Sequence, residues 1–198
     1  MFISEEARGR AGCAGVWSNE QIIRWRQITE AVHAKGGVIF LQLLHQGRQS
    51  HSTFNNGNPP VAPSAIPLMC GYHTADGRKV VPSEVPHELT VEEIKRVIEV
   101  SPRHSNMCAS PQLNIDVFQD YRKAALSGIG AGFDGIEITG CYGFLIDQFM
   151  QSKSNTRSDA YGGSIENRFR FCGELLDTLI GVCLQAAVCV HPFTYSAD

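Results

Sequence analysis

The chain has 198 residues, of which 43% are hydrophobic and 19% charged, and its formal net charge at pH 7 is -3. This length suffices for one domain with a buried core. A slightly acidic chain lacks the basic field that holds nucleic acid or an anionic membrane surface, so we expect small-molecule partners.

Seven cysteines occur without a CxxC pair or a zinc-like spacing, which predicts reduced thiols and no metal site. No apolar run in the sequence approaches the roughly 20 residues that a membrane span needs. Residues 1–10 do not have the pattern of a secretory signal. These features predict a cytoplasmic protein without a membrane partner, and they predict no oligomeric state.

The first predicted helix follows Ser18. Gln21 stands three residues after Ser18, as in a capping box, and it precedes apolar residues at helical spacing, namely Ile22, Trp25, Ile28 and Val32. The helix should end at the glycine pair 36–37. The apolar residues 38–44 then predict a strand that is covered on both faces, as in a parallel sheet, with Gln42 as its one polar residue.

A connection of some forty residues, from His45 to Glu88, is rich in Pro, Gly, Asn and Ser. Loops of this length in a compact domain are usually functional or disordered. Because the connection starts at the C-terminal end of a predicted strand, we expect it to contribute to a site.

A second capping box is predicted at Thr90 and Glu93, and a later helix should reach Gly132. The apolar stripe that starts after Thr90 continues in phase at Phe118 if residues 101–117 are removed in thought. We therefore interpret residues 101–117 as an insertion into a single helix. Two short helices joined by a natural loop are the alternative.

The last predicted elements are a strand at residues 135–139, a helix capped by Ser164, and a strand at residues 187–190. The helix carries six apolar residues, Ile165, Phe169, Cys172, Leu175, Leu176 and Leu179. Alternating helices and strands predict a parallel α/β fold in a single domain over residues 1–198.

Several ordered strings resemble the Old Yellow Enzyme family of flavin reductases, most closely its oxophytodienoate reductase type. They include residues 15–21, 31–37, 60–66 and 131–138, and above all 145–149 with 155–168. The resemblance covers nearly everything except residues 101–117. It implies an FMN-binding (β/α)₈ barrel, which passes hydride from NAD(P)H through FMN to an enone or quinone.

The same resemblance implies that residues 1–5, 38–44, 135–139 and 187–190 are strands two to five of eight. A complete barrel needs roughly 250 residues. We therefore expect a partial TIM barrel, a truncated relative of the family.

The resemblance also implies three residues at the cofactor. Gln42 alternates in phase with Phe40 and would point into the barrel, where its amide could donate to and accept from the flavin's pyrimidine edge. The alternative is a core glutamine that bonds to backbone. His45 would lie at the cofactor mouth, and Cys189 stands where relatives have an arginine that stabilises the reduced flavin.

On the substrate side, three positions depart from the family's pattern. Thr139 and Tyr142 replace a pair of donors that bind the enone oxygen, and the alternative is that their two hydroxyls still bind a carbonyl. Phe144 replaces a tyrosine that donates a proton. Such donors are worth on the order of 10² to 10³ in rate, and a general acid about 10² to 10⁴. We therefore expect an impaired or inactive reductase. A non-catalytic truncated product or interaction fragment is the alternative.

Structural roles are favoured for the remaining polar residues. Glu137 is interpreted as a barrel-floor carboxylate that is paired with a base. Arg157, Asp159 and Arg168 are interpreted as an ion network around the turn at residues 161–163. Cys141 is interpreted as a buried inert thiol, with a reactive thiol beside the pocket as the alternative.

Overall fold

A computed structural model describes residues 1–77, 79–95, 117–183 and 186–192 of the chain. Within these ranges none of the helices is both long and apolar enough to cross a bilayer. The six cysteines in them are free thiols.

Helix α1 spans Asn19–His33 and begins at the predicted capping box. The backbone N–H of Gln21 donates to the Ser18 hydroxyl at 3.3 Å, and the backbone N–H of Ser18 donates to Gln21 Oε1 at 3.1 Å. After the helix the chain turns through Gly36, whose φ of +71° favours glycine. The predicted start and end of α1 are therefore confirmed.

The central sheet has three parallel strands: β1 at Phe40–Leu43, β6 at Gly135–Gly140 and β7 at Ala187–Pro192, in the order β1-β6-β7. This confirms the parallel α/β fold. Residues 1–5 do not form the predicted strand, because only Phe2 makes parallel bridges, to Gly15 and to Leu44. The bridges do place this segment beside β1, which is where the predicted strand order puts it.

The two faces of the sheet differ in burial. Leu41, Leu43 and Ile138 on one face are at most 1% exposed and pack under the helices. On the other face Phe40 is 51% exposed, and Val38, which precedes β1, is 70% exposed. The expectation of a strand covered on both faces is therefore wrong, because the apolar side chains of Val38 and Phe40 are exposed on this second face. We call it the open face.

Three helices build the core against the buried face: α3 at Val117–Gly130, α4 at Leu145–Met150 and α5 at Ile165–Val182. Ser164 caps α5 as predicted, accepting from the backbone N–H of Asn167. The apolar stripe of α5 lies partly elsewhere than predicted, since Ile165 is 63% and Phe169 is 50% exposed. The ring that enters the core is Phe171, which stacks on Phe149 with centroids 4.0 Å apart.

The short helix α2, Val91–Lys95, begins at the second predicted capping box. The backbone N–H of Thr90 donates to Glu93 Oε2 at 2.7 Å, and the backbone N–H of Glu93 donates to Thr90 Oγ1 at 3.1 Å. Residues 101–116 of the proposed insertion lie outside the described residues. Its last residue, Val117, is the first residue of α3 and is buried.

The long connection after β1 has local structure of its own. It contains a 3₁₀ helix at Ser52–Phe54, a strand β2 at Val61–Ala62 that pairs in parallel with β5 at His87–Glu88, and an antiparallel hairpin. The hairpin consists of β3 at Gly71–His73 and β4 at Val80–Pro82. The end of the connection thus lies beside its middle, at β2, before the chain enters α2.

Candidate functional site

The register of the sheet places polar residues from three strands in one layer of the open face. Gln42 of β1 lies opposite Glu137 of β6, and Glu137 lies opposite Cys189 of β7. The next layer towards the carboxyl ends contains Thr139 opposite His191. Side chains two residues apart on a strand point to the same face, so these five side chains share the open face.

The Glu137 carboxylate joins two of its neighbours. It accepts from Gln42 Nε2 at Oε2, at 2.9 Å, and its Oε1 lies 3.1 Å from His191 Nδ1. The expected pairing of Glu137 with a base is therefore present, and the base is His191. The amide of Gln42 is held by this carboxylate and not by backbone.

Thr139 is 1% exposed, and its hydroxyl donates to the backbone carbonyl of Leu43 at 3.0 Å. A hydroxyl has one proton to donate. In this arrangement that proton is directed at β1 and not at a ligand on the open face.

Tyr142 and Phe144 follow β6 in a tight turn. Tyr142 has a φ of +61°, which is unusual for a residue with a side chain, and its ring is 59% exposed. The ring lies nearly parallel to that of His191, with centroids 6.5 Å apart, and 6.1 Å from that of Phe144. The structure thus brings Tyr142 and Phe144 to the edge of the Thr139 and His191 layer.

Two thiols lie near these layers, and both are protonated at neutral pH. Cys189 is an exposed residue, and partial desolvation of its thiol, with a smaller contribution from the nearby Glu137 charge, raises its pKa. Burial also raises the pKa of Cys141, together with the charges of Asp147 and Glu137. Cys141 is fully buried, which agrees with an inert thiol. A neutral Cys189 supplies no positive charge to the open face.

His45, just beyond β1, is 5% exposed. Its Nδ1 accepts from the backbone N–H of Gly47 at 2.9 Å, which places the ring proton on Nε2. Burial lowers the pKa of His45 to about 3. The ring is therefore neutral, and its Nδ1 is already engaged by a backbone N–H of its own loop.

Arg157 and Asp159 form the expected structural pair. The guanidinium donates to both carboxylate oxygens of Asp159, at 3.1 and 2.5 Å, and also to the backbone carbonyls of Pro63, at 2.8 Å, and of Leu89. Arg168 bonds instead to the carbonyls of Met150 and Gly163. Its predicted membership of an ion network is wrong in detail, because its partners are backbone groups.

His191 is the site residue that the sequence analysis left without a role. The signal was present, since His191 stands two residues after Cys189 and alternation puts both on one face of β7. Its pairing with Glu137 depends on the register between β6 and β7, which the sequence does not show. No group of three or more possible metal ligands was found within the described residues.

Fold and site together define a parallel α/β protein whose polar layers run from the middle of its strands to their carboxyl ends, where such folds usually bind ligands. The family model of the "NADH:flavin oxidoreductase / NADH oxidase family" matches residues 1–108 and 113–190. The chain belongs to this family. The gap in the match, residues 109–112, falls within the proposed insertion.

Named relatives agree with this assignment. The chain is 36% identical to 12-oxophytodienoate reductase 2 of Arabidopsis thaliana, over 89% of the chain and 42% of that protein. It is 40% identical to a Leishmania infantum protein named "Probable flavin mononucleotide-dependent alkene reductase", over 84% of the chain and 41% of that protein. The chain thus spans less than half the length of these relatives.

A solved structure of morphinone reductase in complex with tetrahydroNAD is similar to the chain, with a TM-score of 0.79 and 36% identity. The similarity covers 98% of this chain and 50% of that one. The described fold therefore corresponds to about half of that structure.

Proposed function

We propose that the chain carries part of the site of an FMN-dependent oxidoreductase that reduces the activated double bond of a small enone or quinone with NAD(P)H. In this proposal β1, β6 and β7 are strands three to five of a (β/α)₈ barrel, and the segment around Phe2, which bridges to Leu44, stands in the place of strand two. The observation that carries the proposal is the layer of Gln42, Glu137 and Cys189 on the open face of three parallel strands.

The groups in this layer fit the pyrimidine edge of a flavin. Glu137 accepts from Gln42 Nε2, so Gln42 Oε1 is left to accept from a ring N–H. His191 is the imidazole nearest this layer, and its Nδ1 is directed at Glu137. FMN, when bound, would supply the hydride chemistry, and Gln42 would orient it.

The same contacts support impaired chemistry. Thr139 donates its proton to Leu43, and Phe144 has no proton to give. Neither can act as the donor or acid that the family's pattern places there. The hydrogen bonds of Thr139 to Leu43 and of Gln42 to Glu137 also support the second candidate function. This is a non-catalytic product or interaction fragment in which the polar layer is only structural.

FMN binding separates the two candidates. We expect saturable quenching of FMN fluorescence by the full chain, and Gln42→Ala should raise the Kd about tenfold, near the value of one hydrogen bond. Gln27→Ala, which removes an exposed amide on α1, is the matched control and should leave the Kd unchanged. An absence of saturable binding would overturn the proposal and favour the non-catalytic candidate.

Thr139 gives a second test, on turnover. We expect Thr139→Val to change the rate at which cyclohexenone reoxidises pre-reduced, FMN-loaded protein by less than about threefold, because its hydroxyl serves Leu43. If Thr139 donated to the substrate oxygen instead, the substitution would lower the rate about 10²- to 10³-fold. Single-turnover flavin absorbance measures this, and a loss of that size would show that Thr139 binds substrate.

A further inference from the structure

A cavity of about 430 Å³ lies beside Tyr142, at the edge of the Thr139 and His191 layer. It is formed by the loop after β1, the turn after β6, and α4 with the residues that follow it. Its charged lining residues are Arg48, Asp147 and Lys153. This lining carries two positive charges and one negative. Which of these charged groups already has a partner therefore decides what the cavity can bind.

The acid in the lining is already engaged. Asp147 Oδ2 accepts from the backbone N–H of Gly143 at 2.8 Å, and its Oδ1 accepts from Gln151 Nε2 at 3.0 Å. The amide of Gln148 is engaged as well, accepting from the backbone N–H of Arg48 and donating to the carbonyls of Gln46 and Gly143. None of these groups needs a ligand.

The two cations are not compensated in this way. Within the described residues the Arg48 guanidinium makes one hydrogen bond, from Nη1 to the carbonyl of Ile66 at 3.0 Å, and its Nε is sealed from solvent without a partner. The described ion pairs include neither Arg48 nor Lys153. Partial burial lowers the pKa of Arg48, as expected for a cation without a nearby carboxylate.

A partly buried guanidinium with unmatched N–H groups is stabilised by an oxygen anion, which accepts from it with charge assistance. Arg48 is suited to the planar geometry of a carboxylate or phosphate, and Lys153 would add a second point charge. We propose that this cavity is an oxyanion subsite, in which Arg48 and Lys153 bind the carboxylate or phosphate group of a ligand that extends towards Tyr142. That this ligand is the substrate is a second part of the proposal, and this part rests on the proposed function. The anion site itself does not depend on the proposed function.

The test uses the full chain without FMN, labelled with ¹⁵N at arginine. Inorganic phosphate and sodium acetate are titrated separately at pH 7.5, against sodium chloride at matched ionic strength, while the Nε–H signal of Arg48 is followed by NMR. We expect a saturable shift with a Kd of about 1 mM or lower for at least one of the two anions. The anion that binds more tightly identifies the group, and a shift no larger than that with chloride overturns the proposal.

Lys153→Gln is the main variant, because Lys153 is exposed and its loss should not disturb folding. We expect it to weaken anion binding at least fivefold. Lys35→Gln removes an exposed lysine just after α1 and is the matched control, which should bind as the unsubstituted chain does. Equal affinity in Lys153→Gln and Lys35→Gln would contradict the role of Lys153.

Arg48→Lys keeps the charge but loses the planar donors and the NMR signal, so its affinity is measured by isothermal titration calorimetry beside the unsubstituted chain. It should bind the preferred anion at least fivefold more weakly. The substrate role is tested separately, by comparing alkenes with and without the preferred anionic group on FMN-loaded protein. If the apo chain binds the anion and FMN does not bind, the subsite stands and the proposed function fails. If FMN binds and the anion does not, the subsite alone fails.

Discussion

Lowering the pH from 6.5 to 4.5 should reduce the free energy of unfolding by about 2 kcal/mol through His45 alone. The unfolded chain takes up a proton on this ring below its ordinary pKa of 6.5, whereas burial holds the folded pKa at about 3. Between these values the unfolded state binds more protons, so stability is present above pH 6.5 and is lost as the pH falls towards 3.

His45→Asn isolates this contribution, because asparagine does not titrate and its oxygen can accept from the backbone N–H of Gly47 as Nδ1 does. Urea unfolding at pH 7.5, 6.5, 5.5 and 4.5 should show a shallower loss of stability in the variant. His33→Asn is the control, since His33 is a half-exposed histidine paired with Asp134, and His45 remains in place. An equal pH dependence in His45→Asn and the unsubstituted chain would contradict the prediction.

Phe171→Ala should cost about 3–5 kcal/mol in the free energy of unfolding, the range for deleting a buried aromatic ring. Phe171 is fully buried, stacks on Phe149 at 4.0 Å and meets Phe118 edge-on at 5.0 Å. Its removal leaves a cavity where α3, α4 and α5 meet, and these helices cannot close it without moving the sheet that they cover.

Phe169→Ala is the matched control, because Phe169 lies two residues away on the same helix and is 50% exposed. Its effect should stay within about 0.5 kcal/mol. If Phe171→Ala does not fold, Phe171→Leu keeps most of the volume and should still unfold at a lower urea concentration than Phe169→Ala. Similar midpoints for the alanine variants at 169 and 171 would show that the aromatic stack does not hold the helices together.

The sequence predicted the elements whose signals are local. Capping boxes at Ser18 and Thr90, the cap at Ser164 and the apolar runs of the strands each lie within a few residues, and each gave an element in the predicted place. The sequence did not predict which face of α5 is buried, because Phe169 and Phe171 are both apolar. Only the contacts with Phe118 of α3 and Phe149 of α4 show that Phe171 is the buried ring.

In the candidate site, too, local features could be predicted and contacts between distant segments could not. Alternation along a single strand predicts that Gln42 shares a face with Phe40, and the register of β1 and β6 puts Gln42 in one layer with Glu137 on that face. The partners of these side chains could not be predicted, because they depend on registers between segments some 95 residues apart. Glu137 holding Gln42, and Thr139 donating to Leu43, are contacts of this kind.

The bonds of Arg157 have a consequence for the conformational entropy of the long connection after β1. One side chain, only 3% exposed, binds the carbonyl of Pro63 near the start of the β3–β4 hairpin segment and that of Leu89 at its end, and Asp159 holds it in place. A forty-residue loop is thereby divided into shorter closed loops, so the ordering cost of each is set by its own length. The positions of Pro63 and of Leu89, just before α2, are then set by Arg157 and not by the length of chain between them.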